Sequence, residues 1–598
     1  MRDRNLLFFA NKYCISLGLS VTLSFAPVLQ AKAQLIPDNT LGKENSIVNS
    51  SKLLQRIDGG AIRDSNLFHS FKEFNIDSGK SVYFSNPGTI ENILTRVTGK
   101  NPSNIFGKLG VLGNANLFLL NPNGIVFGQG ASLDISGSFT ATTSKSILFD
   151  NGFEFSANNP NNVPLLKVNI IPGLQYPRSQ QADISNQANL TVGEDLNLIG
   201  KNLDLTGSLN SGRDLNLKAE NKLKIRDNPN NPFIADAGSE LFLQGNQALD
   251  IFALNHPESG LFSGNDLVLK SSNSVLGDAH YFSGGNFRIE TLDGNLGDLS
   301  SPHDPIIRAS GDVSFDSYEG ASLHILAGGS VNITGDVTIT DADSANGLRE
   351  TVTLSDGESL EIDGKNQATL DIRAGTTAFA TPGITGSGNF NPGNPNTGGS
   401  GTSSDIVING NIKVNRADGL VFLSNQYSPN TTLNSGNIQI NGNIDTSSIS
   451  GNGGEIFIDS QGNIDIIGSQ ILANSSTSSS GNISLISGGI ISVLDGTAVK
   501  SESNQNLSGN LDLLGHINFN ATSIIVDNSQ ISATTKDTEA GDIILNASNE
   551  VKIGNNSKIA SGAIGTGEAG FLEIIADKLS ISDNSQLTVS SKDTLQPG

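Results

Sequence analysis

Residues 114–143 read NANLFLLNPNGIVFGQGASLDISGSFTATT. At the centre, Asn121-Pro122-Asn123-Gly124 separates two short apolar runs, residues 117–120 and 125–127. Proline presets its φ, glycine accepts a positive φ, and asparagine side chains bond their own backbone, so the chain must bend here. Leu133, Ile135 and Phe139 follow among small or polar residues, the pattern of half-buried strands.

The same grammar recurs to the end of the chain. Asp195-Leu196-Asn197-Leu198 repeats as Asp214-Leu215-Asn216-Leu217, nineteen residues later, with looser echoes beginning at Gly264, Gly285, Gly311 and Gly329. In the last third, glycine leads an apolar strand at Gly454, Gly481, Gly509, Gly541 and Gly570. A second strand follows, then a small turn whose Ser or Thr falls at 469, 497, 529, 557 and 585, spacings of 28, 32, 28 and 28. Three short strands and three turns cannot bury an apolar face alone, but stacked copies can. The pattern therefore predicts an all-β, right-handed parallel β-helix with Ile, Leu and Val pointing inward and Asn and Ser stacking at turns. A propeller blade needs four antiparallel strands and roughly 40 residues, longer than this period.

Composition agrees. Of 598 residues only 16% are charged; 67 are glycine, and tryptophan is absent. Such a chain is poor in helix formers and rich in turn formers. Its net charge is −23, with dispersed acids, which disfavours nucleic acid and anionic membrane surfaces as partners. The dispersed acids read as a solvated surface rather than as calcium sites.

Arg2, Arg4 and Lys12 precede an uncharged apolar segment, residues 15–26, and then Ala31-Lys32-Ala33. That is the layout of a secretory signal peptide cleaved after Ala33, and the apolar segment is short for a bilayer span. The one cysteine, Cys14, lies in the removed piece, so no disulfide is expected in the mature chain. Removing residues 1–33 takes away a net +3 and leaves −26. No later run is long enough to cross a membrane.

Residues 34–155 are the most aromatic part of the mature chain, with Phe68, Phe71, Phe74, Tyr83 and Phe84, and read as strands, turns and core. The segment SNPGTIENILTRVTGKNPSNIFGKLGVLGNANLFLLNPNGIVFGQGASLDISGSFTATT resembles the two-partner secretion domain that opens filamentous haemagglutinin-like exoproteins. The NPNGI element matches at Asn121, Pro122, Asn123, Gly124 and Ile125. The family's other asparagine-proline element corresponds to Asn86-Pro87, where the following residues depart from the usual form. The resemblance implies a secreted protein, extracellular or on the bacterial surface. It implies as partner an outer-membrane β-barrel transporter with periplasmic domains, and contact or adhesion to glycans or proteins of host or neighbouring cells. NPNGI itself reads two ways, as a recognition element or as a coil corner.

The expected organisation is a signal peptide at 1–33 and a capped secretion domain at 34–157. β-Helix repeats of about 20 residues with excursions follow at 158–380, then a Gly/Pro/Ser/Asn-rich loop or linker at 381–404. Repeats of about 28 residues occupy 405–598. The repeat runs to Val589 and stops without a capping sequence, which reads as an end that frays or as an incomplete chain. No catalytic residue, cofactor or metal is expected. The histidines (69, 256, 280, 303, 324, 516) show no HxxxH or HxH spacing, and His256 and His303 read as polar loop residues. The alternative reading is a secreted β-helix polysaccharide lyase or hydrolase. Its candidates would be Asp312 with Asp316, or Asp363 with Arg373, in numbers that chance supplies among 59 acids.

Overall fold

The computed structural model describes residues 35–51, 53–149, 152–160, 180–378, 401, 403–504, 514–565 and 567–591. The signal segment with Ala33, the proline-rich stretch beyond 160, nearly all of 381–404, and Gly509 lie outside them.

Every regular element among the described residues is a strand, and most join one large, mostly parallel sheet. One coil shows the rule. Leu190–Val192, Leu196–Gly200 and Leu203–Leu205 pair in parallel with Leu209–Ser211, Leu215–Ala219 and Lys222–Arg226 of the next coil. Leu190 stacks on Leu209, Leu196 on Leu215 and Leu203 on Leu223, all essentially without solvent contact. The fold is a parallel β-helix, and the right hand is the one twisted strands favour for parallel crossovers. One inward column runs from Leu67 through Ile93, Leu117, Phe139 and Leu196 to Val551 and Leu579. Each fully buried Leu or Ile in such a column contributes about 1.5–3 kcal/mol.

Coil length varies more than the sequence pattern suggests. Paired residues are 19 apart at Leu196 and Leu215, 26 at Leu215 and Leu241, 20 at Leu267 and Phe287, and 18 at Val313 and Val331. Turns absorb the difference; residues 228–231, for example, close a small antiparallel bridge outside the coil path. In the last third the register places Ile517 beside Ile483, so Gly515-His516 leads that coil where the sequence pattern nominated Gly509. The two stretches, GNLDL and GHINF, satisfy the same local pattern six residues apart.

The glycine that leads each coil has a physical cause. At one turn, a side-chain oxygen accepts the backbone N–H of the equivalent residue one coil on. Asp266 accepts from Asn286 at 2.8 Å, Asn286 from Asp312 at 2.8 Å and Asp312 from Ser330 at 2.8 Å. Farther along, Asp405 accepts from Asn437 and Asn437 from Asn463, each at 2.8 Å. Nearer the N-terminus the ladder is made of amides: Asn116 donates to Asn92 at 3.0 Å and Asn92 to Asn66 at 3.1 Å. A Cβ on Gly311 would stand 2.4 Å from the Asn286 oxygen, and one on Gly329 2.2 Å from that of Asp312. At Gly311 and Gly329 glycine precedes the polar residue because the previous coil's side chain occupies that space, whereas at Gly481, Gly541 and Gly570 a Cβ would meet the carbonyl oxygen of the previous coil's glycine, at 2.0, 2.0 and 2.4 Å. Several acids that read as solvated surface are thus half-buried acceptors. The Ser/Thr turn forms a parallel ladder, in which Ser469 N–H donates to Thr497 Oγ1 at 3.3 Å and Ser529 N–H to Ser557 Oγ at 3.2 Å.

Antiparallel strands occupy the first turn. Leu35–Pro37 and Ala61–Arg63 both pair antiparallel with Asn66–Phe74, and Ser46–Ser50 pairs with Leu54–Gly59. Phe71, Phe74 and Phe84 close this end, Phe74 and Phe84 stacking at 6.1 Å. This is a capped N-terminal end, since the parallel edges of the first coil meet strands of the same chain. In the last described coil, Leu579, Ile581 and Val589 are between 44% and 52% exposed.

Candidate functional site

Asn121-Pro122-Asn123-Gly124 forms a β-turn between Asn116–Leu120 and Ile125–Phe127, with Gly124 N–H donating to Asn121 O at 3.2 Å. Gly124 has φ +115°, a conformation a side chain would strain. Asn121 is fully buried. Its Oδ1 accepts the Asn123 N–H at 2.9 Å, and its Nδ2 donates to Asn101 O at 3.1 Å and Ser103 Oγ at 3.0 Å, both on the preceding coil. Its backbone N–H donates to Thr142 O at 3.0 Å on the following coil. Asn121 therefore ties three successive coils together at one corner. Asn123 is exposed, although its amide donates to Gly99 O at 2.8 Å. Ile125 is fully buried and pairs with Ser103 and Ile184. Beside the turn lies an open groove of about 440 Å³, whose lining includes Pro102, Asn123, Val126, Ser185, Lys201 and Asn202.

Asn86-Pro87 makes a comparable corner one strand-set earlier. With its amide oriented by its partners, Asn86 donates to Pro87 O and Ile90 O at 3.0 Å and accepts from Ala115 N–H at 3.1 Å. Both asparagine-proline elements thus use a side-chain amide to fix a corner against a neighbouring coil. They lie in different turns.

An external hairpin completes this end. Ser146–Leu148 pairs with Glu154–Ser156, and Ile147, Phe149 and Phe155 pack on the outward residues Phe68, Leu94 and Phe118. Beneath it sits Arg96, fully buried, which donates to Ser70 Oγ at 3.0 Å, Ser156 O at 2.8 Å, Thr40 Oγ1 at 3.0 Å and Pro160 O at 2.6 Å. Its guanidinium lies 4.5 Å from the Phe155 ring centre, and burial lowers its pKa to about 10. Nothing in the sequence singles out Arg96, because all its partners are distant.

The candidate pairs of the alternative enzyme reading, Asp312 with Asp316 and Asp363 with Arg373, make other contacts. Asp312 accepts the Ser330 N–H and Asp316 the Thr334 hydroxyl, both as coil-to-coil links. Asp363 caps a turn, accepting the Lys365 N–H at 3.2 Å. Arg373 is fully buried and bonds Asp371 in a fork, at 2.9 and 2.7 Å. A charged cluster missed by the sequence reading surrounds it. His324, fully buried, sits between Asp371 at 3.0 Å and Asp304 at 3.1 Å. Burial alone would lower His324, but Asp304 and Asp371 outweigh it and hold its pKa at about 9. Burial raises Asp304 to about 6. The signal available in the sequence was a charge at the outward position of an otherwise apolar strand, as in LHILA and TLDIR. His303 is partly exposed and meets Asp343 at 3.2 Å, while His256 accepts the Glu258 N–H at 3.1 Å. Among the described residues no group of three or more His, Cys, Asp or Glu side chains could hold a metal ion, and no helix is long and apolar enough to cross a membrane.

A family model described as the TPS secretion domain matches residues 33–289. Two Haemophilus influenzae chains named heme/hemopexin-binding protein are each 38% identical to this chain, over 79 and 72 residues respectively. These matches cover 13% and 12% of this chain, and the chain spans 8% of the length of each relative. Among solved structures, the HMW1 secretion domain from Haemophilus influenzae aligns at 15% identity with a TM-score of 0.24, over 93% of this chain and 99% of that one. The filamentous hemagglutinin secretion domain aligns at 18% identity with a TM-score of 0.23, over 50% of this chain and 95% of that one.

Proposed function

We propose, from the two-partner secretion domain that the chain carries over residues 33–289, that it is an exoprotein carried through the outer membrane by a dedicated β-barrel transporter. The observation that carries this reading is the coincidence of that match with the cap of antiparallel strands and the NPNGI corner. The chain would leave its signal peptide behind after Ala33 and cross unfolded. With no cysteine after Cys14, no disulfide could form in transit and obstruct passage. The cap gives the first coils a finished end, and each later coil needs only its predecessor as a template, so folding can follow emergence.

The buried state of Asn121 supports the structural reading of the motif: in the folded domain its side chain has no surface to offer a partner. Recognition by the transporter's periplasmic region is assigned instead to Asn123, which is exposed in the folded domain and equally accessible in the unfolded chain. Outside the cell, at the surface or released, the protein acts by contact. Long outward faces of short polar and charged side chains suit glycans or proteins of other cells. The full mature chain titrated onto the immobilised periplasmic region of its transporter tests this. Binding that Asn123→Ala weakens and that is absent with an unrelated β-helix supports the reading, and no binding by the unaltered chain defeats it.

A further inference from the structure

Residues 342–367 leave the coil path. Arg349–Thr353 and Ser359–Asp363 pair antiparallel as a sheet of their own. The hairpin is laid along the outer face of the β-helix, across residues that follow one another coil by coil: Ile306, His324, Asp371, Phe422, Phe457 and Ser484 in one outward register. At its base, Asp304 accepts the Leu348 N–H at 3.3 Å, and Leu348 packs with Ile306 and Leu326. In the middle, Glu350 pairs with Arg373, which also lies 4.4 Å from the Tyr427 ring centre. Its apolar side, Val352, Leu354, Leu360 and Ile362, packs on Leu420, Phe422 and Ile486. At the tip, Asp459 accepts the Ser355 N–H at 2.9 Å and its hydroxyl at 2.5 Å, across 104 residues of sequence.

We propose that this hairpin is a closing strap, the last piece of the central region to dock, which joins coils between residues 304 and 486 into one cooperative unit. A β-helix coil otherwise touches only its neighbours, so it opens locally at a local cost. The strap breaks that rule, because it holds coils that have no contact with one another. No coil beneath it can open without undocking the strap, and undocking would expose four apolar side chains and the paired charges of Glu350 and Arg373. Its anchors at Asp459 and Ile486 lie far downstream. In a chain that emerges N-terminus first, the strap stays open until those coils have formed, and its closure then opposes their reversal. The strap's coupling of coils holds whether or not the chain is exported as proposed above.

The test is hydrogen exchange read by mass spectrometry on the full mature chain, unaltered and with Asp459→Ala, which removes the tip anchor. Exchange should rise about tenfold in 349–363 and, together with it, in 323–327, 369–373 and 420–424, while 196–200 and 215–219 keep their rates. Acceleration confined to 349–363 would overturn the proposal, as would equal acceleration everywhere. If Asp459→Ala does not fold, Ser355→Ala keeps the backbone bond and should show the same regional pattern at smaller amplitude. During refolding, protection of 349–363 should follow that of 455–460; the reverse order also overturns it.

Discussion

Gly311→Ala examines the coil-to-coil ladder at one atom. The φ of Gly311 lies outside the left-handed range, so backbone strain is not the issue. The added Cβ would stand 2.4 Å from Asn286 Oδ1 and 3.0 Å from the Gly285 carbonyl carbon. The Asn286 amide must therefore withdraw by more than half an ångström, about the difference between that contact and the shortest tolerable one. In doing so it abandons the Asp312 N–H that it holds at 2.8 Å. An enclosed donor left without its partner costs about 1–3 kcal/mol, and the half-buried site argues for the lower part of that range. The assay is a double-mutant cycle with Asn286→Ala, read by denaturant unfolding and by exchange at 313–315. Gly311→Ala alone should cost about 1–2 kcal/mol. In the Asn286→Ala background most of that cost should vanish, a coupling on the order of 1 kcal/mol. Gly88, exposed and with open space around it, is the control, where alanine should be neutral or stabilise by a few tenths of a kcal/mol. An equal Gly311→Ala cost in both backgrounds would refute the ladder as the reason for the glycine.

Three other outcomes follow from the same geometry. Asn121→Ala should destabilise residues 99–127 by about 2–3 kcal/mol, since the lost amide served two neighbouring groups and an Asx turn, while Asn123→Ala should cost under about 1 kcal/mol; unfolding of the mature chain distinguishes them. Arg96→Met should release the 146–156 hairpin, costing on the order of 3 kcal/mol and opening that hairpin to protease before the coils beneath it. The strap should also respond to pH. Folded pKa values raised to about 9 for His324 and about 6 for Asp304 mean that each contributes stability present at low pH. For His324 that contribution is full below about 6.5 and lost as pH rises through about 9; for Asp304 it fades between about 4 and 6. Asp371, held low despite its burial by Arg373 and His324, acts oppositely and loses its contribution on acidification. Exchange in 349–363, corrected for intrinsic rate, should therefore accelerate between pH 7 and 9.5 more than exchange in 215–219, and a flat ratio would contradict the assignment.

Much of the fold could be read because a solenoid repeats its reasons. The Ser/Thr turn at 469, 497, 529, 557 and 585 coincides with the register of the strands beside it. Gly-polar-apolar marks each coil start because a close contact recurs there. Where two such patterns stand six residues apart, local grammar cannot choose: the sequence points to Gly509, while the strand register puts Gly515 at the head of the coil. Excursions were the other blind spot. The hairpin at 349–363 repeats nothing, and its meaning lies in partners such as Asp459, more than a hundred residues away. His324 looked like one scattered histidine for the same reason: its two carboxylates are 20 and 47 residues off and meet it only across coils. Of the site residues, the corner geometry of Asn121 and Gly124 followed from turn chemistry, whereas the burial of Asn121 depended on the coil packed on either side.

The most direct measurement is export. Cells producing the full chain with and without its transporter are compared for the mature protein outside the outer membrane, by immunoblot of medium and surface-digested cells. Mature chain, beginning after Ala33, should appear outside only when the transporter is present. Export undiminished without the transporter, or a folded chain retained in the periplasm despite it, would contradict the central claim.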